Sequence, residues 1–142
     1  VSGIRAAGLA AELAAARLLL ESGGVGFRYA LADLALSPQL ETALALTVRE
    51  AVTNIQRHAQ ARQAEVGVSI DAGHVHLWIV DDGRGSTIVP GNGLNGMRER
   101  VEALGGSLRI ESPGGHGTRV EVRIALPTDE LPEAAAQPAI AP

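Results

Sequence analysis

The chain has 142 residues, 46% of them apolar, with one Phe, one Trp and one Tyr, so Leu, Val, Ile and Ala must build the core of a single domain of ordinary size. Its net charge of −4 argues against a nucleic-acid partner, and its twelve basic residues are all Arg, which excludes a Walker A loop and the strand lysine of eukaryotic-type protein kinases. The absence of cysteine excludes disulfides, zinc–thiolate sites and thiol nucleophiles.

Residues 4–21, "IRAAGLAAELAAARLLLE", are rich in Ala, Leu and Arg and predict a helix. "SGG" at 22–24 stops it. Val25, Phe27, Tyr29 and Leu31 then alternate as in a half-buried strand. Ser37-Pro38 reads as an N-cap followed by a first-turn proline. The helix it opens is expected over 38–59, with Leu40, Ala43, Leu44, Thr47, Val48, Ala51, Val52 and Ile55 on one side. Val66, Val68 and Ile70 alternate, as do Val75, Leu77 and Ile79, with "DAG" at 71–73 as the hairpin turn. A helix over 93–104 carries Leu94, Met97, Val101 and Leu104 and ends at Gly105-Gly106. Strands over 107–111 and 118–125 flank a "SPGGHG" turn. The tail from 127 is Pro/Ala-rich and reads as disordered. This order predicts an α+β fold, a two-layer α/β sandwich. Its mostly antiparallel mixed sheet of about five strands has about three helices on one face. The expected division is a helix over 1–22 leading into or belonging to the main domain, that domain over 23–126, and a tail over 127–142. No apolar run reaches the roughly 18 residues of a membrane span and no signal-peptide pattern appears. A chain that starts at Val1 is expected to be a piece of something longer.

Four motifs carry chemistry. In "REAVTNIQRHA", Glu50 and Asn54 are four apart and share one helix face, with Arg57 and His58 on the adjacent turn. That face is either solvated or turned toward a metal–phosphate group. Mg²⁺ keeps several waters and needs only one or two protein oxygens. In "DDGRG", Asp81 ends the apolar strand "HLWIV", where a carboxylate can accept a hydrogen bond from an exocyclic amine such as that of adenine. Gly83 and Gly85 leave room for a sharp turn and a flat ring. "GNGLNG" fits the pattern of the dinucleotide fingerprint. The context is wrong, because that fingerprint needs a strand directly before it in a parallel βαβ unit. What remains is glycines ahead of a helix, whose free N–H groups and dipole suit an anion without a lysine. In "GGHGT", Gly115, Gly117 and Thr118 make a tight turn into the last strand, either a plain hairpin or a second backbone approach to a ligand. His74 and His76 alternate on one strand without a visible third metal ligand, so a solvent-facing strand surface is expected there.

Taken together, E-x-x-x-N on a helix, D-x-G-x-G at a strand end, G-x-G-L-x-x-M opening a helix and G-x-G-T before a last strand resemble the ATP-binding domain of bacterial sensor histidine kinases. This is the Bergerat or GHKL superfamily, which also holds gyrase B and MutL. "REAVTNIQRHA" and "GLNGMRERVEALGG" look most like the subgroup related to nitrate and membrane-fluidity sensors. The resemblance covers roughly residues 4–126. It implies ATP and Mg²⁺ as ligands, with Asn54 and Glu50 at the metal and Arg57 and His58 near the phosphates. It implies Asp81 on the adenine amine, and Gly83 and Gly85 completing the first glycine box. Gly91, Gly93 and Leu94 would form the hinge of an ATP lid over about 86–92, and Thr118 would sit beside adenine or its water. The lid is short, and the separate F box of many kinases is missing. The phosphoacceptor is also missing, since none of His58, His74, His76 and His116 lies in an H-box context.

The resemblance therefore implies the catalytic domain of a histidine kinase, with its acceptor histidine on a separate dimerisation domain and a response regulator beyond that. It further implies a cytoplasmic location without membrane contact by this segment, a monomer in isolation and a homodimer at full length. Three alternatives remain at this point. One is an ATPase in which Glu50 activates water, another a serine kinase of anti-sigma type, and the third a nucleotide-binding module without transfer.

Overall fold

A computed structural model describes residues 8–32, 35–84, 92–112 and 116–126. Helix α1 (Leu9–Ser22) leads into strand β1 (Gly26–Leu31) and helix α2 (Pro38–Asn54). A π-helical turn, Ile55–Ala59, extends α2. Strands β2 (Gln63–Asp71) and β3 (His74–Asp81), helix α3 (Asn92–Ala103), and strands β4 (Ser107–Glu111) and β5 (Thr118–Ala125) complete the order.

The strands form one sheet in the order β1-β2-β3-β5-β4. β1 and β2 run parallel, with α2 as their crossover, and the other neighbours are antiparallel. Alternation along each strand assigns the faces. Ala64, Val66, Val68, Val75, Leu77, Ile79, Val120, Val122 and Ile124 are buried toward the helices. They join Leu9, Leu13, Ala16 and Leu20 of α1, Leu40, Leu44, Val48 and Val52 of α2, and Met97 and Val101 of α3 in one core cluster. This is the predicted α+β sandwich.

The opposite face carries the charges. Arg109 pairs with Glu111 at 2.7 Å and Arg119 with Glu121. The Arg119 guanidinium, with further help from His76 and Arg109, holds the Glu121 carboxyl below its ordinary value. In the middle of this face the Trp78 indole lies across Gly67, its partner in register. A Cβ on Gly67 would fall 1.9 Å from that ring, so the glycine makes room for the indole and the indole covers the glycine.

Local signals fix the helix ends. The Ser37 hydroxyl accepts from the Leu40 N–H at 3.3 Å, with Pro38 in the first turn. α1 starts against α2, where Glu41 Oε2 accepts from the Leu9 N–H at 3.0 Å. Arg49 of α2 donates to Glu12 of α1 at 2.9 Å, a second tie between the two helices. Ala72 and Gly73 take left-handed φ angles of 53° and 78° and close the two-residue turn between Asp71 and His74, as "DAG" predicted.

Candidate functional site

The chemistry-bearing motifs converge on one end of the sheet. β3 finishes there at Asp81, β5 begins there at Thr118, and the two residues face each other in register. α2 arrives at the same end through the π-helical turn, Gln60 in the left-handed region (φ 52°), and the start of β2 at Gln63. α3 follows β3 and runs away from this end. It finishes near Gly106, which packs on Ile124 at the far end of β5.

Asp81 belongs to the inward-facing series of β3 and is 5% exposed. A carboxylate stripped of water favours its neutral form. Burial accordingly pushes its pKa up, the Gly83 N–H bound at 2.8 Å pulls it down, and the neighbouring Asp82 charge pushes it up again. Among the described residues the Gly83 N–H is the one donor to this carboxylate, a small return for burying an anion.

Gly117 explains how the last glycine motif reaches Asp81. Its φ is 78°, and a Cβ built on it would stand 2.1 Å from the Asp81 carbonyl oxygen. Only glycine allows β5 to enter this close to β3. Thr118, next in the chain, is 7% exposed, and its hydroxyl lies 2.8 Å from that of Ser112 at the end of β4. Val80, Asp81, Glu111, His116, Gly117, Thr118 and Arg119 line an open cavity of about 580 Å³ at this end, with Val80, Glu111 and Arg119 belonging to the outer face of the sheet.

On α2, Glu50 and Asn54 are half-buried, while Val48, Ala51 and Val52 are buried on the core side. Neither Glu50 nor Asn54 makes a side-chain hydrogen bond or ion pair to another described residue, which leaves an amide and a carboxylate available to a hydrated cation. At Ile55 the helix widens to π pitch, a change that the apolar spacing did not reveal. Arg57 is exposed on that turn. His58 belongs to the same turn, but its side chain lies outside the described residues. Gly83 is buried beside Asp81. Gly85, Gly91 and the lid span 86–91 lie outside the described residues, as do Gly115 and the tail from 127. Gly93 and the backbone of Leu94 fall in the first turn of α3.

His74 and His76 are engaged with their own strand and turn. Nδ1 of His74 lies 3.1 Å from the Ala72 carbonyl, and the His76 ring rests 5.3 Å from Trp78. Among the described residues no three His, Cys, Asp or Glu side chains converge. No helix among them is long and apolar enough to cross a membrane. Sequence reasoning missed Ser112 and Asp82. The first is visible only once β4 and β5 are paired. The second was signalled by the doubled aspartate.

A model of the histidine kinase-, DNA gyrase B-, and HSP90-like ATPases matches residues 39–128. The chain belongs to this ATPase family. Within it, the similarity is to the ATP-binding catalytic domain of bacterial sensor histidine kinases. The chain is 34% identical over 130 residues to the sensor histidine kinase YvfT of Bacillus subtilis, covering 89% of this chain and 34% of that protein. It is 40% identical over 97 residues to the nitrate/nitrite sensor protein NarQ of Escherichia coli, covering 65% of this chain and 17% of that protein. The histidine kinase domain of the Erythrobacter litoralis blue-light activated histidine kinase superposes with a TM-score of 0.70 at 25% identity, covering 80% of this chain and 57% of that one. The chain thus spans about a third or less of the curated relatives it matches.

Proposed function

We propose that this ATPase-family domain binds Mg·ATP at the Asp81 end of its sheet and donates the γ-phosphoryl group to a histidine on a separate dimerisation domain. A response regulator then takes the phosphoryl from that histidine. The observation that supports this most directly is Asp81. It is a buried carboxylate whose one donor among the described residues is the Gly83 N–H, at the strand end where the exocyclic amine of adenine would give it another.

The residues divide the work. Asp81 accepts from the adenine amine, and Thr118, oriented by Ser112, offers its hydroxyl to the ring or its water. Gly83 and Gly85 leave space for the base. Gly91, Gly93 and Leu94 hinge the lid, and the first N–H groups of α3 meet the phosphates. Asn54 and Glu50 would hold Mg²⁺ through its waters, and Arg57 and His58, on the next turn, would meet the phosphates. Mg²⁺ neutralises charge on the phosphate oxygens. The chain's own contribution is position and charge, which is what phosphoryl transfer requires. The acceptor imidazole nitrogen forms its bond to the γ-phosphorus as the bond to the ADP oxygen breaks. The imidazole proton leaves to a base on the acceptor's own domain. The domain works on the cytoplasmic side as a monomer, and its full-length kinase works as a homodimer.

Calorimetric titration with Mg·ATP and ADP tests the reading. We expect binding by the wild-type chain and its loss in Asp81→Asn; equal affinity in the two would overturn the site. Adding the dimerisation domain of the same kinase should yield acid-labile phosphohistidine, lost in Asn54→Ala. Steady ATP turnover by the chain alone, abolished in Glu50→Ala, would instead favour an ATPase. A serine-phosphorylated partner would favour the anti-sigma type of kinase, and tight binding with no transfer would favour a binding module.

A further inference from the structure

We infer that Asp82 is a positioning residue that couples the adenine end of the site to the metal-bearing helix; this rests on the proposed nucleotide reading. The two adjacent aspartates point to different tasks. Asp81 turns inward, while Asp82 is exposed and its carboxylate reaches back across the sheet. Asp82 Oδ1 accepts from the Arg62 N–H at 2.8 Å and from the Gln63 N–H at 2.9 Å. The Asp82 N–H in turn donates to the Gln63 carbonyl at 3.2 Å. On the other side, the Arg62 carbonyl accepts from the Gly26 N–H at 2.8 Å.

This is where the chain leaves α2. Between Asn54 and the clamp lie the π-helical turn and Gln60, which is left-handed at φ 52°. A π pitch and a left-handed residue in sequence form a costly local conformation that needs an outside hold. The β2–β3 ladder ends at the pair Ala64 and Asp81, so the Asp82 side chain takes over where main-chain pairing stops. The Gln63 N–H, and after it the Arg62 N–H, hold the Asp82 carboxyl below its ordinary value, so it is an anion throughout the neutral range. One dipeptide thus ends the adenine strand and pins the exit of the helix that carries Glu50 and Asn54. Loss of the pin releases the helix exit and leaves the adenine seat in place.

The test compares Asp82→Ala and Asp82→Asn with wild type, using adenosine, ADP without Mg²⁺ and Mg·ATP in separate titrations. Asp82→Ala should weaken Mg·ATP about tenfold while changing adenosine and metal-free ADP less than about twofold. Amide exchange should accelerate at Arg62, Gln63 and the turn before them. Asp82→Asn keeps an acceptor oxygen and should restore Mg·ATP affinity to within about threefold of wild type. Equal loss for all three ligands would show a general structural role and overturn the inference, as would unchanged Mg·ATP affinity in Asp82→Ala. Failure of the wild-type chain to bind any of the ligands would instead overturn the nucleotide reading beneath it.

Discussion

The two ends of this sheet are built on opposite terms. At the far end the devices are short and local: a Ser-Pro helix start, a two-residue turn between β2 and β3 whose one strained residue is the left-handed Ala72, and glycines closing α3. At the Asp81 end the chain holds a buried carboxylate, a π-helical turn, a left-handed Gln60, and a glycine pressed onto a carbonyl. Such features cost stability and persist where the rest of the fold over-determines them. One end serves the fold; on the proposed reading, the other spends part of that stability on holding a ligand.

The sharpest way to break this contrast is Gly117→Ala. The methyl group meets the Asp81 carbonyl in a left-handed backbone, so urea denaturation should show a loss of about 3 kcal/mol, with nucleotide binding lost alongside. Asp81→Asn should separate the two currencies. Loss of a charged acceptor should weaken ATP by about tenfold or more in titration. The stability change has the other sign. A carboxyl whose pKa is raised by folding contributes stability at low pH and loses it as pH rises through the raised value. The ligand-free Asp81→Asn chain should therefore melt higher than wild type at neutral pH. By the same shift, wild-type affinity for ATP should fall on acidification at a pH above that of an exposed aspartate. At the far end, Ser37→Ala should cost about 1 kcal/mol and leave nucleotide affinity unchanged. Smallest of all, Arg109→Ala on the outer face should change stability by less than about 0.5 kcal/mol, because its ion pair with Glu111 is exposed.

The same contrast decides what was legible in the sequence. Ser37-Pro38, "DAG" and the Gly105-Gly106 stop act over three or four residues, and each stands where the sequence placed it. The alternation in β2 and β3 named the inward residues because one face alone is apolar. The parallel pairing of β1 with β2 depends on a crossover of some thirty residues and has no local mark. At the site, the spacing of Glu50 and Asn54 was readable as one helix face. The π pitch beyond them was not, since apolar periodicity over five residues cannot tell 3.6 residues per turn from a wider winding. The partner of Gly117 is the backbone of Asp81, 36 residues earlier in the chain, so its close approach reads in sequence as an ordinary turn. Asp82 is the same case, since its partners Arg62 and Gln63 become neighbours only when β2 and β3 pair.

Trp78 gives the strand an optical probe of its own. It is the sole indole of the chain and stands three residues before Asp81, on the face of β3 turned away from the core. Its emission will therefore follow what happens to that strand and will stay largely blind to the helix layer behind it. Ligand arrival at the strand end can be timed by mixing and fluorescence on the unlabelled wild-type chain. The π-helical turn, with no indole nearby in sequence, would need a fluorophore introduced there before its own movement could be seen.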